Sequence, residues 1–210
     1  TWGFKVTGAG VSVDKLTLKV SGNLGLATVK DQGGDAIYTA MTMGDVDVTF
    51  DASTSTADFG LTGDIKIDYY HSNSVADGYA RLDWTTAFAD GALLDPGSYL
   101  PTPVELPINF TSDMGYRVAG SVTGTGDDSA FLEVGGVKLT GSAEFALSRY
   151  DRNLGKVVTG GTLDTWGFKV TGAGVSVDKL TLKVSGNLGL ATVKDQGGDA
   201  IYTAMTMGDV

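Results

Sequence analysis

The chain has 210 residues, 42% of them hydrophobic, which is enough for a packed core and argues against disorder. It has no cysteine and a single histidine, so thiol chemistry, disulfide stapling and histidine-built metal sites are excluded. A formal net charge of −10 argues against nucleic acid or an anionic membrane surface as partner, because both require a face rich in lysine and arginine.

Taken in chain order, apolar residues alternate with polar ones nearly throughout. Leu16, Leu18 and Val20 share one face of a first predicted strand, and the turn Asp31-Gln32-Gly33-Gly34-Asp35 leads to Ile37, Thr39, Met41 and Met43. Phe59, Leu61, Gly63, Ile65, Ile67 and Tyr69 form the cleanest run, closed by Ser72-Asn73-Ser74 as a turn. Strands are then expected at Ala80–Phe88 and Val104–Phe110, either side of Asp95-Pro96-Gly97. Further strands are expected at Met114–Val122, Leu132–Val134 and Val137–Leu147, with turns at Thr123–Asp128 and Asp151-Arg152-Asn153. Period two marks a sheet with one apolar face, and short polar turns favour antiparallel pairing. The expected fold class is all-β, with mainly antiparallel sheets in a sandwich or a barrel or tube. Helical periodicity is missing, and no apolar run is long enough for a membrane-spanning helix.

Self-similarity organises the chain. Thr1–Val46 recurs without a change as Thr165–Val210. The division is therefore 1–164, one full unit, and 165–210, the start of the next, unless the identity is an artificial overlap. Lys5, Lys15, Lys19 and Lys30 balance Asp14, Asp31, Asp35 and Asp45, so the duplicated part is neutral and the whole charge of −10 belongs to one period. A few strands alone cannot bury a core, so neighbouring units are expected to share a continuous sheet. A shorter echo places Gly22, Gly63, Gly120 and Gly141 inside strands, where glycine marks a bulge, a bend or a close backbone approach.

Chemistry is hard to find. His71, in HSNSVADG, reads as an exposed turn residue, and there is no nucleophile elbow, Walker loop or zinc-protease motif. Gly8, Gly10, Gly124 and Gly126 have no following helix and read as turns rather than a phosphate cradle. Asp31 with Asp35, and Asp127 with Asp128, place hard oxygen ligands on glycine turns, so Ca2+ is a candidate ligand there, beside the plainer reading of solvated turns. Trp2, Trp84, Tyr69, Tyr70 and Tyr79 could form a sugar-stacking face or an aromatic girdle, or serve as core and cross-strand pairs. No catalytic, cofactor-binding or metal residue is assigned, and the chain is not expected to be an enzyme.

The stretches LTLKVSGNLGLATVK, YRVAGSVTGTG and FLEVGGVKLTGSAEFALSR resemble repeats of giant bacterial adhesin-like surface or secreted proteins. That resemblance implies export, β-rich modules in series, and attachment or filament formation; it carries over no functional residues. The N-terminal TWGFKVTG lacks a basic start and apolar stretch, so an export signal is expected outside this stretch. The function expected first is a structural or adhesive repeat of an extracellular or cell-surface fibre, with identical neighbouring repeats as partners. An outer-membrane β-barrel, whose lipid-facing band would show as a second apolar face, and a carbohydrate-binding module stand as alternatives.

Overall fold

A computed structural model of the chain describes residues 1–13, 16–53, 59–88, 93–125, 130–134, 137–152, 160–177, 180–195 and 199–210. The strands are β1 (Trp2–Val13), β2 (Leu16–Lys30), β3 (Ile37–Ser53), β4 (Phe59–Val75), β5 (Met114–Gly124) and β6 (Ala130–Val134). They continue with β7 (Val137–Arg152), β8 (Gly161–Val177), β9 (Leu180–Lys194) and β10 (Ala200–Gly208). The sole helical element among the described residues is a 3-10 turn at Pro96–Tyr99, capped by the Asp95 carboxylate.

All the strands join one antiparallel sheet in the order β1-β2-β3-β4-β5-β7-β8-β9-β10, with β6 between β4 and β7. β5 and β6 occupy the same gap: β4 pairs with β5 through Gly63–Ser72 and with β6 through Phe59–Leu61. The all-β, antiparallel expectation holds. The sandwich and the closed barrel do not, because this is a single open sheet with β1 and β10 as its edges. The two copies of the repeated sequence lie in that same sheet, with β4, β5, β6 and β7 between them, and β8 is attached to β7 over the register Val137↔Val177 to Arg152↔Gly161.

Two predicted strands are not strands. Between β4 and β5 the described residues 76–88 and 93–113, the 76–113 segment, lie outside the strands and pack across β1, β2 and β3. Leu106, Ile108 and Phe110 are buried in alternation, as the sequence pattern suggests, but among the described residues this segment forms no ladder: it has the isolated bridge Leu94↔Ile108 and a backbone hydrogen bond from Trp84 N–H to the Phe110 carbonyl at 2.8 Å. Trp84 is 3% exposed and packs with Ile108, Phe110, Met114, Ala27 and Ala40 in the one buried hydrophobic cluster among the described residues. Ser72-Asn73-Ser74 is likewise no turn but the last part of β4. Asn73 is buried there because its amide is fully used. Trp84 Nε1 donates to Asn73 Oδ1 at 3.0 Å, and Asn73 Nδ2 donates to the carbonyls of Leu82 and Thr111 at 3.0 and 3.1 Å.

The recurrent strand glycines divide between two jobs. Gly22 and Gly141 sit at register shifts, Gly141 with φ +125°, and Gly120 pairs beside the shift opposite Ile67 and Tyr69. Gly63 and Gly120 lie against the ring tips of Phe50 and Phe145, where a methyl group would collide.

Candidate functional site

The chemistry of this molecule lies in the contrast between its two sheet faces. Following directly opposed residues across the strands gives the row Phe4, Leu24, Met43, Tyr70, Val118, Leu147, Trp166, Leu190 and Met205. A neighbouring row runs through Val46, Ile67, Gly120, Phe145, Phe168, Leu188 and Met207. A third holds Val20, Val48, Ile65, Val122, Ala143 and Val170. One face is thus apolar from edge to edge, with no second layer of described chain upon it. Phe4 is 49% exposed, Trp166 42% and Met205 67%. Along β9 the apolar band runs from Leu182 to Leu190, roughly 27 Å at about 3.4 Å per residue.

Charge bounds that band at one end. In the row beyond Leu147 and Trp166, Arg149 grips Asp164 through Nε at 2.6 Å and a second guanidinium nitrogen at 2.9 Å. Lys194 reaches the same carboxylate at 3.0 Å, and the Arg149 guanidinium carbon lies 5.5 Å from the centre of the Tyr116 ring. The Asp164 side chain is 4% exposed, so the two cations are what make its burial tolerable. The two widest gaps in sequence between successive strands, Val75 to Met114 and Arg152 to Gly161, open at this end of the sheet.

The opposite face is polar. Lys66 pairs with Asp68 at 3.1 Å and Lys169 with Glu144 at 3.0 Å. The 76–113 segment lies on this face, tied to β7 by the ion pair Arg81–Asp151. His71 is not the exposed turn residue the sequence suggests. It sits in β4, its ring stacked between Tyr69 at 5.2 Å and Phe110 at 5.1 Å, with Nδ1 accepting from Arg117 Nε at 2.7 Å. That arrangement braces the segment against the sheet, and the hydrogen-bond partner of the imidazole is a cation rather than the carboxylate that base catalysis would use.

The acidic turn behaves as a turn. Asp31 Oδ1 accepts the Ala36 amide at 3.2 Å, and in the second copy Asp195 Oδ1 accepts the Asp199 amide at 3.0 Å. Among the described residues no group of three or more His, Asp or Glu side chains converges as a metal site. Asp127 and Asp128 lie outside the described residues. The five aromatic candidates do not gather: Trp84 is in the core, Trp2 is on edge strand β1, and Tyr69 and Tyr70 point to opposite faces, with Tyr79 in the 76–113 segment. What sequence reasoning missed is the apolar face as a surface. Its signal was present in the alternation, but alternation does not say whether anything covers the apolar side.

Comparison with protein-family models, with curated proteins and with solved structures gave no match.

Proposed function

We propose that this chain is part of a β-sheet wall that spans an outer membrane, its apolar face toward lipid and its polar face, carrying the 76–113 segment, toward an aqueous interior. The observation that carries the reading is the uninterrupted apolar face, nine strands wide and one residue layer deep. Apolar area of that extent in water is costly, at roughly 25 cal/mol per Å2, and marks a surface made to be covered. Three features favour lipid as the cover. The band's roughly 27 Å along the strand is of the order of the roughly 25 Å apolar belt of membrane barrels, charged and tyrosine residues border it, and the two widest sequence gaps between strands, Val75 to Met114 and Arg152 to Gly161, open at that border. On this reading closure into a barrel takes strands beyond the edges β1 and β10.

A fibre of identical units is the second reading, favoured by the stagger of the sheet. The row through Gly3, Gly25, Thr42, His71, Arg117 and Ser148 reaches β8 at Thr165, the counterpart of Thr1. A period therefore slips by only about two residues, whereas a closed barrel of tilted strands slips by about one residue per strand. In a fibre the apolar faces of two sheets would cover each other, about 10 Å apart.

Refolding the chain with vesicles of brominated phosphatidylcholine separates the two. The membrane reading expects quenching of Trp166 and none of Trp84, each observed with the other tryptophans changed to phenylalanine. Unquenched Trp166, with the protein sedimenting as lipid-free filaments, would overturn it in favour of the fibre.

A further inference from the structure

The repeated sequence presents one surface twice, covered in the first copy and bare in the second. In the first, Ala27 and Ala40 are 1% and 0% exposed, and Thr42 is 2% exposed, all beneath the 76–113 segment. A Cβ on Gly25 would lie 3.2 Å from Leu106 Cβ and 3.4 Å from Pro96 Cγ, and one on Gly3 would strike the Pro96 carbonyl oxygen. The segment thus rests on bare backbone, which only glycine permits.

In the second copy the equivalents Gly167, Gly189, Ala191, Ala204 and Thr206 keep the same register but have no such cover. A Cβ on Gly167 would have only the Ala146 carbonyl oxygen within reach, at 3.9 Å, and Ala204 and Thr206 are exposed. These residues, with Arg117 and Ser148, line a groove of about 620 Å3 on the polar face.

We propose that this groove is a docking site for a second insertion, a segment with the sequence of residues 93–111 supplied by a further copy of the period. The first copy states the fit: Pro96 and Leu106 over the paired glycines, Ile108 and Phe110 against the paired alanines. The segment reaches its own copy because β4, which follows β3 directly in the sheet, holds it through Asn73; a β4 added beside β10 would deliver it to the groove in the same way. The inference rests on the repetition, not on what covers the apolar face, and holds for a membrane wall and a fibre alike.

The absence of native cysteine makes the test direct. Ala40→Cys and Ala204→Cys are made separately, in the 210-residue chain and in one lengthened after Val210 by the sequence of residues 47–114, and maleimide labelling is timed in detergent. In the shorter chain the thiol at position 204 reacts at an open-surface rate and the thiol at position 40 at least roughly tenfold more slowly, as burial beneath a segment that must open requires. In the longer chain labelling at position 204 slows to the rate seen at position 40. A position 204 that stays fast while position 40 stays slow overturns the proposal. If the longer chain misfolds, shown by fast labelling at position 40, the 210-residue Ala204→Cys protein is titrated instead with a peptide of residues 93–111. Slowed labelling there supports docking, and labelling unchanged at saturating peptide overturns it. Neither arm involves lipid, so failure of the membrane reading leaves the result intact.

Discussion

The strands β1 to β3 and β8 to β10 are a controlled comparison within one molecule, since their repeated residues are the same and their neighbours are not. Local structure is copied closely. Gly8 and Gly172 have φ of +59° and +60°, and each amide donates to a serine hydroxyl, Ser21 or Ser185, at 2.9 Å. Asp45 and Asp209 share positive φ and each accepts from an asparagine, Asn23 or Asn187. Burial is not copied: Ala40 is fully buried and Ala204 is open. Strand, bulge and register are thus properties of the 46 residues, while the core belongs to whatever segment crosses them.

The largest break in the comparison should come from Asn73→Ala. It strands the Trp84 indole N–H and frees two carbonyls, costing about 3 kcal/mol, and it should make a thiol at position 40 as reactive as one at position 204. Chemical denaturation and cysteine labelling read the two effects; a stable variant with position 40 still protected would refute the anchoring role. Next is a paired substitution. Ala40→Leu overpacks a closed site and should cost about 2 kcal/mol, whereas Ala204→Leu should stay within about 0.5 kcal/mol. Equal costs would mean the second copy is covered too.

Gly8→Ala and Gly172→Ala should instead agree, each losing about 1 kcal/mol because both need a left-handed backbone. A difference between them would show that cover reaches the bulge. Smallest is the charged border. Lys194→Met removes one of the two cations on Asp164 and should cost about 1 kcal/mol at low salt, less at high salt. Lys30→Met, at the exposed counterpart, should be near neutral, on the order of the few tenths usual for surface changes.

Much of the sheet was legible in the residues. In LTLKVSGNLGLATVK the residues Leu16, Leu18, Val20, Leu24 and Leu26 keep to one face before Ala27 and Val29 take the other, and β2 and β9 follow the stretch from end to end. Leu106, Ile108 and Phe110 misled for a physical reason. An extended segment lying on a sheet buries every second side chain just as a strand does, and only the missing ladder tells them apart. Ser72-Asn73-Ser74 misled in the opposite way. Small polar residues signal a turn when water satisfies them, and here Asn73 is satisfied by a segment arriving from elsewhere in the chain. The apolar face was legible in the alternation but its exposure was not, because periodicity gives the sides of a sheet and not their surroundings.

β5 and β6 share one lane of the sheet, and this sets the parity of the whole design. Counting that lane once, a period lays down an even number of antiparallel passes, so β8 starts out in the same direction as β1. Had β6 claimed a lane of its own, each successive unit would stand upside down relative to the last, and its long excursion would emerge at the opposite rim. With the shared lane, units can be added one after another and the object keeps a distinct top and bottom.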